Sequence, residues 1–181
     1  MKYNDLLKLL ISIIICEVAG FVGSIFTMPE INSWYKNLNK PAFSPPNWIF
    51  GPVWTTLFIL MGVSLYLVWS KKWKPKNKFD SKKANIWNPL SQKFLLGSWQ
   101  KANIIVIFAI QLVLNILWSV IFFGMHSPGA AFFELLMLWF AIIFTIINFY
   151  RISKTASLLL IPYILWVSFA GVLNLFLWIL N

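Results

Sequence analysis

Five long apolar runs, at about residues 6–28, 52–70, 103–124, 128–150 and 156–180, constrain this chain more than any other feature. Each is close to the roughly 20 residues that an α-helix needs to cross a bilayer. They follow one another too closely to build two domains. The prediction is therefore an all-α integral membrane protein: one domain over residues 1–181, folded as a bundle of five transmembrane helices. Composition points the same way. With 60% hydrophobic and only 11% charged residues, a soluble domain of 181 residues could not hide its apolar surface. The first run is not followed by a small-residue cleavage site, so it reads as a span and not as a signal peptide.

A net charge of +10 would suggest nucleic acid in a soluble protein. Here topology explains it. Five spans put the two termini on opposite faces. One face then carries the N-terminal residues, a lysine-rich segment at 71–102 and the 151–155 turn, and thirteen of the fifteen Lys and Arg residues lie there. Only Lys36 and Lys40 lie on the other. Basic loops stay on the inner side of a membrane, which sets the N-terminus inside and the first loop and the C-terminus outside. No nucleic-acid partner is needed, and the lipid bilayer is the expected surrounding. Segment 71–102 reads as an inner-face loop, with a short amphipathic helix around 90–101.

The stretch from Trp34 to Trp54 interrupts this pattern. It holds four of the nine prolines and three of the eleven tryptophans. Pro41, Pro45, Pro46 and Pro52 cannot share one continuous helix, because each fixes φ and lacks a backbone donor. So stiff a loop can hold rings in place as a lid over an apolar ligand. It can equally be a connector whose tryptophans sit at the headgroups. Pro52 suits the first turn of the second helix.

Two helices carry polar stripes. Gln111, Asn115 and Trp118 or Ser119 recur at helical spacing on the third span, and Trp166, Ala170 and Asn174 do so on the fifth, which Pro162 should kink. Such faces look inward in a membrane, either to bond neighbouring helices or to line a cavity. Two faces of amides and indoles together have the make-up of a site for a large apolar ligand. On the first span, Ala19/Gly23 and Gly20/Ser24 are small residues four apart, which permit close helix packing or leave room for a ligand.

Ionisable groups within spans are few. Glu17 is a functional candidate by its depth alone. Glu134, about one turn into the fourth span, has the reach to snorkel or cap. His126 is the only histidine, in a turn, with no second ligand at metal-site spacing. Cys16 is the only cysteine, so neither a disulfide within the chain nor a thiolate metal site is available. No metal site is expected. Paired carboxylates and a nucleophile–His pair are also missing.

Several motifs together resemble the TspO/translocator protein family, also called tryptophan-rich sensory proteins or peripheral-type benzodiazepine receptors. They are Trp34-Tyr35, Lys40 to Trp48 (KPAFSPPNW), Phe50 to Thr55 (FGPVWT), Leu114 to Ser119 (LNILWS) with Phe122-Phe123-Gly124, and Pro162-Tyr163 through Ala170 with Leu173-Asn174. The resemblance covers nearly the whole chain. It implies a five-helix bundle, commonly a homodimer, that binds tetrapyrroles such as protoporphyrin IX or haem as ligand and requires no cofactor. Relatives also bind cholesterol and benzodiazepine-type compounds in a pocket capped by the first loop. The matching ligand-binding positions are Ser24, Trp34, Phe43, Phe50, Trp54, Asn115, Trp118, Trp139, Trp166, Ala170 and Asn174. The implied function is that of a membrane receptor: a tetrapyrrole-binding sensor or regulator. The alternatives are light-dependent degradation of protoporphyrin IX, with Trp54 and Trp166 as the catalytic indoles, and porphyrin or sterol transport. Five spans form no even inverted repeat, which disfavours transport. The fifth helix lacks the Tyr and Lys/Arg of the proposed cholesterol pattern, which argues against cholesterol. A bacterial plasma membrane fits the lysine asymmetry.

Overall fold

The computed structural model describes residues 3–71 and 89–181, with side chains in the third helix from residue 103 onward. Among the described residues, five helices are long and apolar enough to cross a membrane. The protein is an all-α integral membrane protein, and its elements follow from how hydrocarbon treats the backbone. With no water at that depth, each N–H and C=O must be satisfied internally, and a helix does this within one segment.

Helix α1 (Tyr3–Ile31) runs 29 residues, about 43 Å at 1.5 Å per residue. That exceeds the roughly 30 Å hydrocarbon thickness, so one end of α1 projects beyond it. A loop with two short 3₁₀ turns, Tyr35–Asn37 and Asn47–Ile49, leads into α2 (Phe50–Ser70). Pro52 lies in the first turn of α2, where a missing N–H leaves no bond unmade. Helix α3 (Pro89–Ser119) begins well before the apolar run at 103–124. Residues 90–101 are therefore a continuation of the third spanning helix and not a separate amphipathic helix within a loop; the remainder of the basic segment, 72–88, lies outside the described residues.

The outer end of the third apolar run changes pitch. Val120–Gly124 form a π turn, closed by the Met125 amide donating to the Val120 carbonyl at 2.9 Å. Widening the helix by one residue turns the consecutive Phe122 and Phe123 both inward. His126 follows with φ of 50°, a left-handed turn conformation, and Pro128 starts α4 (Pro128–Ile152). The fifth span is two pieces, α5 (Lys154–Leu158) and α6 (Ile161–Leu180). Pro162 does not kink a continuous helix; the break precedes it, at Leu159–Leu160, and Pro162 occupies the first turn of α6. The break is tolerated because it is buried: Ala156, Ser157 and Leu160 are all enclosed, and Ser64 of α2 donates to the Ala156 carbonyl at 2.7 Å.

α1 packs on α2 and α3, and α4 packs on α3 and α6. Small residues set the α1–α2 distance. A Cβ on Gly62 would lie 2.5 Å from the Ile13 Cα, so the backbones themselves are in contact there. At Gly20 an added Cβ would meet the Phe58 ring. Gly62→Ala is expected to destabilise the bundle by about 1–3 kcal/mol, the usual cost of overpacking. Gly51→Ala, at a position with open space around it, serves as the control. Thermal unfolding of both variants in detergent, followed by circular dichroism, measures the difference.

Candidate ligand-binding cavity

Because α1, α2, α3 and α6 are held apart at one end of the bundle, a cavity of about 550 Å³ remains between them. This falls within the usual size of small-molecule sites. α1 supplies its small residues, Gly20, Gly23 and Ser24, together with Glu17 and Thr27. α2 supplies Phe50, Trp54 and Phe58; α3 and its π turn supply Asn115, Trp118, Ser119, Phe122 and Phe123; α6 supplies Trp166, Ala170, Leu173 and Asn174. Tyr35, Asn47 and Trp48 of the first loop complete the lining. The small pairs of α1 thus serve both roles open to them. Ala19 is buried in the core, whereas Gly20, Gly23 and Ser24 leave space.

The amides do more than face the cavity. Trp118 Nε1 donates to Asn174 Oδ1 at 3.0 Å, and Asn174 Nδ2 donates to the Pro128 carbonyl at 2.7 Å. One buried amide therefore joins α3, α6 and the start of α4 behind the cavity wall. Asn115 Nδ2 donates to the Tyr163 hydroxyl at 3.0 Å, joining α3 to α6 again. Trp118 stacks on Phe122 with ring centroids 5.1 Å apart, which fixes the indole plane. Two lining atoms are left over. Trp166 Nε1 and Glu17 Oε1 are buried without a hydrogen-bond partner among the described residues. A buried polar atom without a partner is costly, and a ligand can supply one.

The loop is clasped over this end. Asn39 N donates to Asn181 Oδ1 at 2.9 Å, and Asn181 Nδ2 donates back to the Asn39 carbonyl at 3.1 Å. Phe43 packs edge-on against Phe169 and Phe176 of α6. Lys40 Nζ lies 4.1 Å above the Tyr35 ring. Burial lowers the Lys40 ammonium pKa, and burial raises that of the Tyr35 hydroxyl, partly offset by its bond with Ser44. Trp34 stacks on His126 at 4.5 Å, and His126 Nε2 lies 3.1 Å from Glu30 Oε2, so the turn before α4 holds the end of α1 and the start of the loop together.

Eight of the eleven expected binding positions meet at the cavity: Ser24, Phe50, Trp54, Asn115, Trp118, Trp166, Ala170 and Asn174. Three do not. Trp34 lies behind Phe122 and Phe123 as a loop anchor, and Phe43 braces the loop on the outside of α6. Trp139 is on α4, which contributes nothing to the lining; its indole donates to Ser168 Oγ at 2.9 Å. Gln111 leaves its own stripe, buried in the helix packing with no partner for its amide among the described residues. Glu134 neither snorkels nor caps: it is 2% exposed, and both carboxyl oxygens are unpartnered among the described residues. Sequence reasoning did not find Phe58, Phe122 or Phe123. For Phe58 no signal existed, because its place depends on Gly20 opposite. The adjacent phenylalanines before Gly124 could have suggested a pitch change.

The profile of the TspO/MBR family matches residues 12–179. The chain belongs to the TspO/MBR family. Among curated relatives, the tryptophan-rich protein TspO of Chlorobaculum tepidum is 43% identical over 171 residues, covering 94% of each chain. That of Archaeoglobus fulgidus is 38% identical over 177 residues, 98% of this chain and 99% of its own. The human translocator protein is 36% identical over 159 residues, 87% of this chain and 80% of its own. Similarity thus spans all five crossing helices of this TspO/MBR member and the loop between the first two.

In this member Asn174 is the central tie of the wall. Asn174→Leu keeps the shape but strands the Trp118 indole N–H and the Pro128 carbonyl. A loss of about 1–3 kcal/mol is expected for the buried groups left unpaired. Guanidinium-free thermal melts in detergent, with near-ultraviolet circular dichroism reporting the indoles, would register it.

Proposed function

We propose that this protein is a membrane tetrapyrrole-binding sensor or regulator, with protoporphyrin IX or haem held in the cavity under the first loop. The observation that carries this reading is the composition of the wall. Trp54, Trp118 and Trp166 contribute indoles from three different helices to the lining of one space, which also holds two polar atoms unpartnered among the described residues. Flat, conjugated macrocycles stack on aromatic rings. Tyr35, Asn47 and Trp48 close the space from the loop side. Membrane orientation follows from charge. Lys36 and Lys40 belong to the loop end, whereas Lys71, Arg151 and Lys154 sit where α2 ends, α4 ends and α5 begins. The positive-inside rule therefore puts the loop outside and the N-terminus inside, consistent with a bacterial plasma membrane.

Replacing both Trp54 and Trp166 by Phe is expected to weaken protoporphyrin IX binding roughly tenfold, from ring contacts worth about 0.5–1.5 kcal/mol each. Titration followed by porphyrin absorbance reads this directly, and unchanged affinity would sink the pocket assignment. A second reading, photo-oxidative degradation, is favoured by the presence of Trp54 and Trp166 on the same wall. Illumination separates the two: a stable spectral shift means binding alone, whereas steady bleaching that disappears in the double variant means turnover. For orientation, a cysteine at Asn39 should react with a membrane-impermeant maleimide in intact cells, and protection there would reverse the topology.

A further inference from the structure

Between α2 and α6 the cavity is walled by aromatic rings. These helices touch through rings: Phe50 against Trp166 with centroids 5.9 Å apart, and Trp54 against Tyr163 at 6.2 Å. A second hollow of about 540 Å³, a lateral groove between the same two helices, shares Trp166 with the cavity. Pro52, Val53, Thr56, Leu57 and Leu60 line it from α2, and Pro162, Leu165, Trp166 and Phe169 from α6. No charged side chain is among them. The single hydroxyl, that of Thr56, is already used, donating to the Pro52 carbonyl at 2.8 Å. Leu165 is 64% exposed, so this side of α6 faces outward at a depth where the surroundings are hydrocarbon.

Trp166 lines both hollows. It is held edge-on by Phe50 and tilted against Phe169, 5.4 Å between centroids, with no hydrogen bond to its buried Nε1 among the described residues. Packing contacts, without a hydrogen bond, keep it in place. Trp118 and Trp139 each have an indole hydrogen bond that a rotamer change would break. Trp166 has none to lose.

We propose that the α2–α6 groove is the bilayer port of the cavity: a lipid acyl chain lies in it against Trp166, and an apolar ligand dissolved in the membrane enters past that indole instead of under the loop. The occupant follows from the chemistry on the page. The groove is uncharged, its one hydroxyl is internally bonded, and it opens sideways from two membrane-crossing helices, so hydrocarbon is the partner it fits. The port deepens the ligand-binding reading given above; the acyl-chain contact does not depend on it.

Two measurements on the full chain reconstituted in phosphatidylcholine vesicles test the proposal, and the first needs no ligand. Phosphatidylcholine brominated at mid-chain quenches tryptophan only on contact. The difference in emission between the wild type and Trp166→Phe isolates Trp166, and that share should be strongly quenched. Thr56→Trp, which fills the groove, provides the converse in a Trp166-subtracted pair: quenching of Trp166 should fall. If Trp166 emission is unaffected by the brominated chains, no acyl chain reaches it and the proposal is overturned, whatever binds in the cavity.

The second measurement is kinetic. Thr56→Trp should slow both association and dissociation of vesicle-dissolved protoporphyrin IX by about tenfold, while the equilibrium affinity stays within about twofold, as a blocked route requires. Thr56→Ala, lacking only the hydroxyl, should match the wild type. A disulfide between Asn39→Cys and Asn181→Cys, made in a Cys16→Ala background, ties the loop down and should leave the rates unchanged. If that disulfide stops exchange while Thr56→Trp has no effect, ligand enters under the loop and the port is wrong. Failure of porphyrin to bind any variant at equilibrium would instead refute the ligand reading, with the bromine result still deciding the acyl-chain contact.

Discussion

Hydrocarbon offers no hydrogen bonds, and the structure can be read as the consequences of that one constraint. Backbone groups are satisfied within five helices, and where the helical pattern breaks, the break is sheltered. The interruption at Leu159–Leu160 is enclosed by neighbouring residues and fastened by Ser64, while the π turn at Val120–Gly124 lies where α3 meets the loop end. Side-chain polar groups obey the same rule in pairs. Asn174 bridges Trp118 and Pro128, Asn115 meets Tyr163, and Trp139 meets Ser168. These bonds connect helices that apolar contacts alone would not orient, because lipid tails are as apolar as leucine.

The exceptions to the rule are informative for the same reason. Among the described residues, Trp166 and Glu17 present unpartnered atoms to the cavity, and Gln111 and Glu134 lie unpartnered within the packing. At the cavity the exceptions coincide with three indoles, a set of small residues on α1 and a clasped loop. The hollow is therefore built by the contrast between close backbone contact, as at Gly62 and Ile13, and bulky rings a few turns away. Gly62 of α2 brings α1 and α2 together at one level; Trp54, Trp118 and Trp166 keep the helices apart at the next.

The fold was largely legible in the sequence. Apolar runs of spanning length named the helices, and Pro52 marked where the second of them begins. Pro162 misled, since it suggested a bend within a helix, whereas the chain breaks before it and restarts. The candidate site was largely legible in the stripes of helical spacing: Trp166, Ala170 and Asn174 all reach the cavity, as do Asn115 and Trp118, whereas Gln111 of the same stripe does not. It was illegible where position depended on a neighbouring helix. Trp139 sits on a helix whose inward face meets α3 and α6 and not the hollow, and nothing in its own sequence neighbourhood says so. Trp34, Phe43 and Trp48 all belong to the first-loop stretch, yet only Trp48 lines the cavity, because Trp34 packs against Phe122, Phe123 and His126, and Phe43 against Phe169 and Phe176.

The sequence by itself determined the number of spanning helices, the membrane as solvent, the charge asymmetry and the family, because length, apolarity and motif are local properties of the chain. Tertiary structure alone decided which tryptophans among the described residues line a common space, that one amide holds three elements together, and that Trp166 stands between an internal cavity and a lateral groove. Those outcomes depend on helix rotation and separation, which are set by contacts between residues far apart in the chain, such as Gly62 with Ile13 and Asn39 with Asn181.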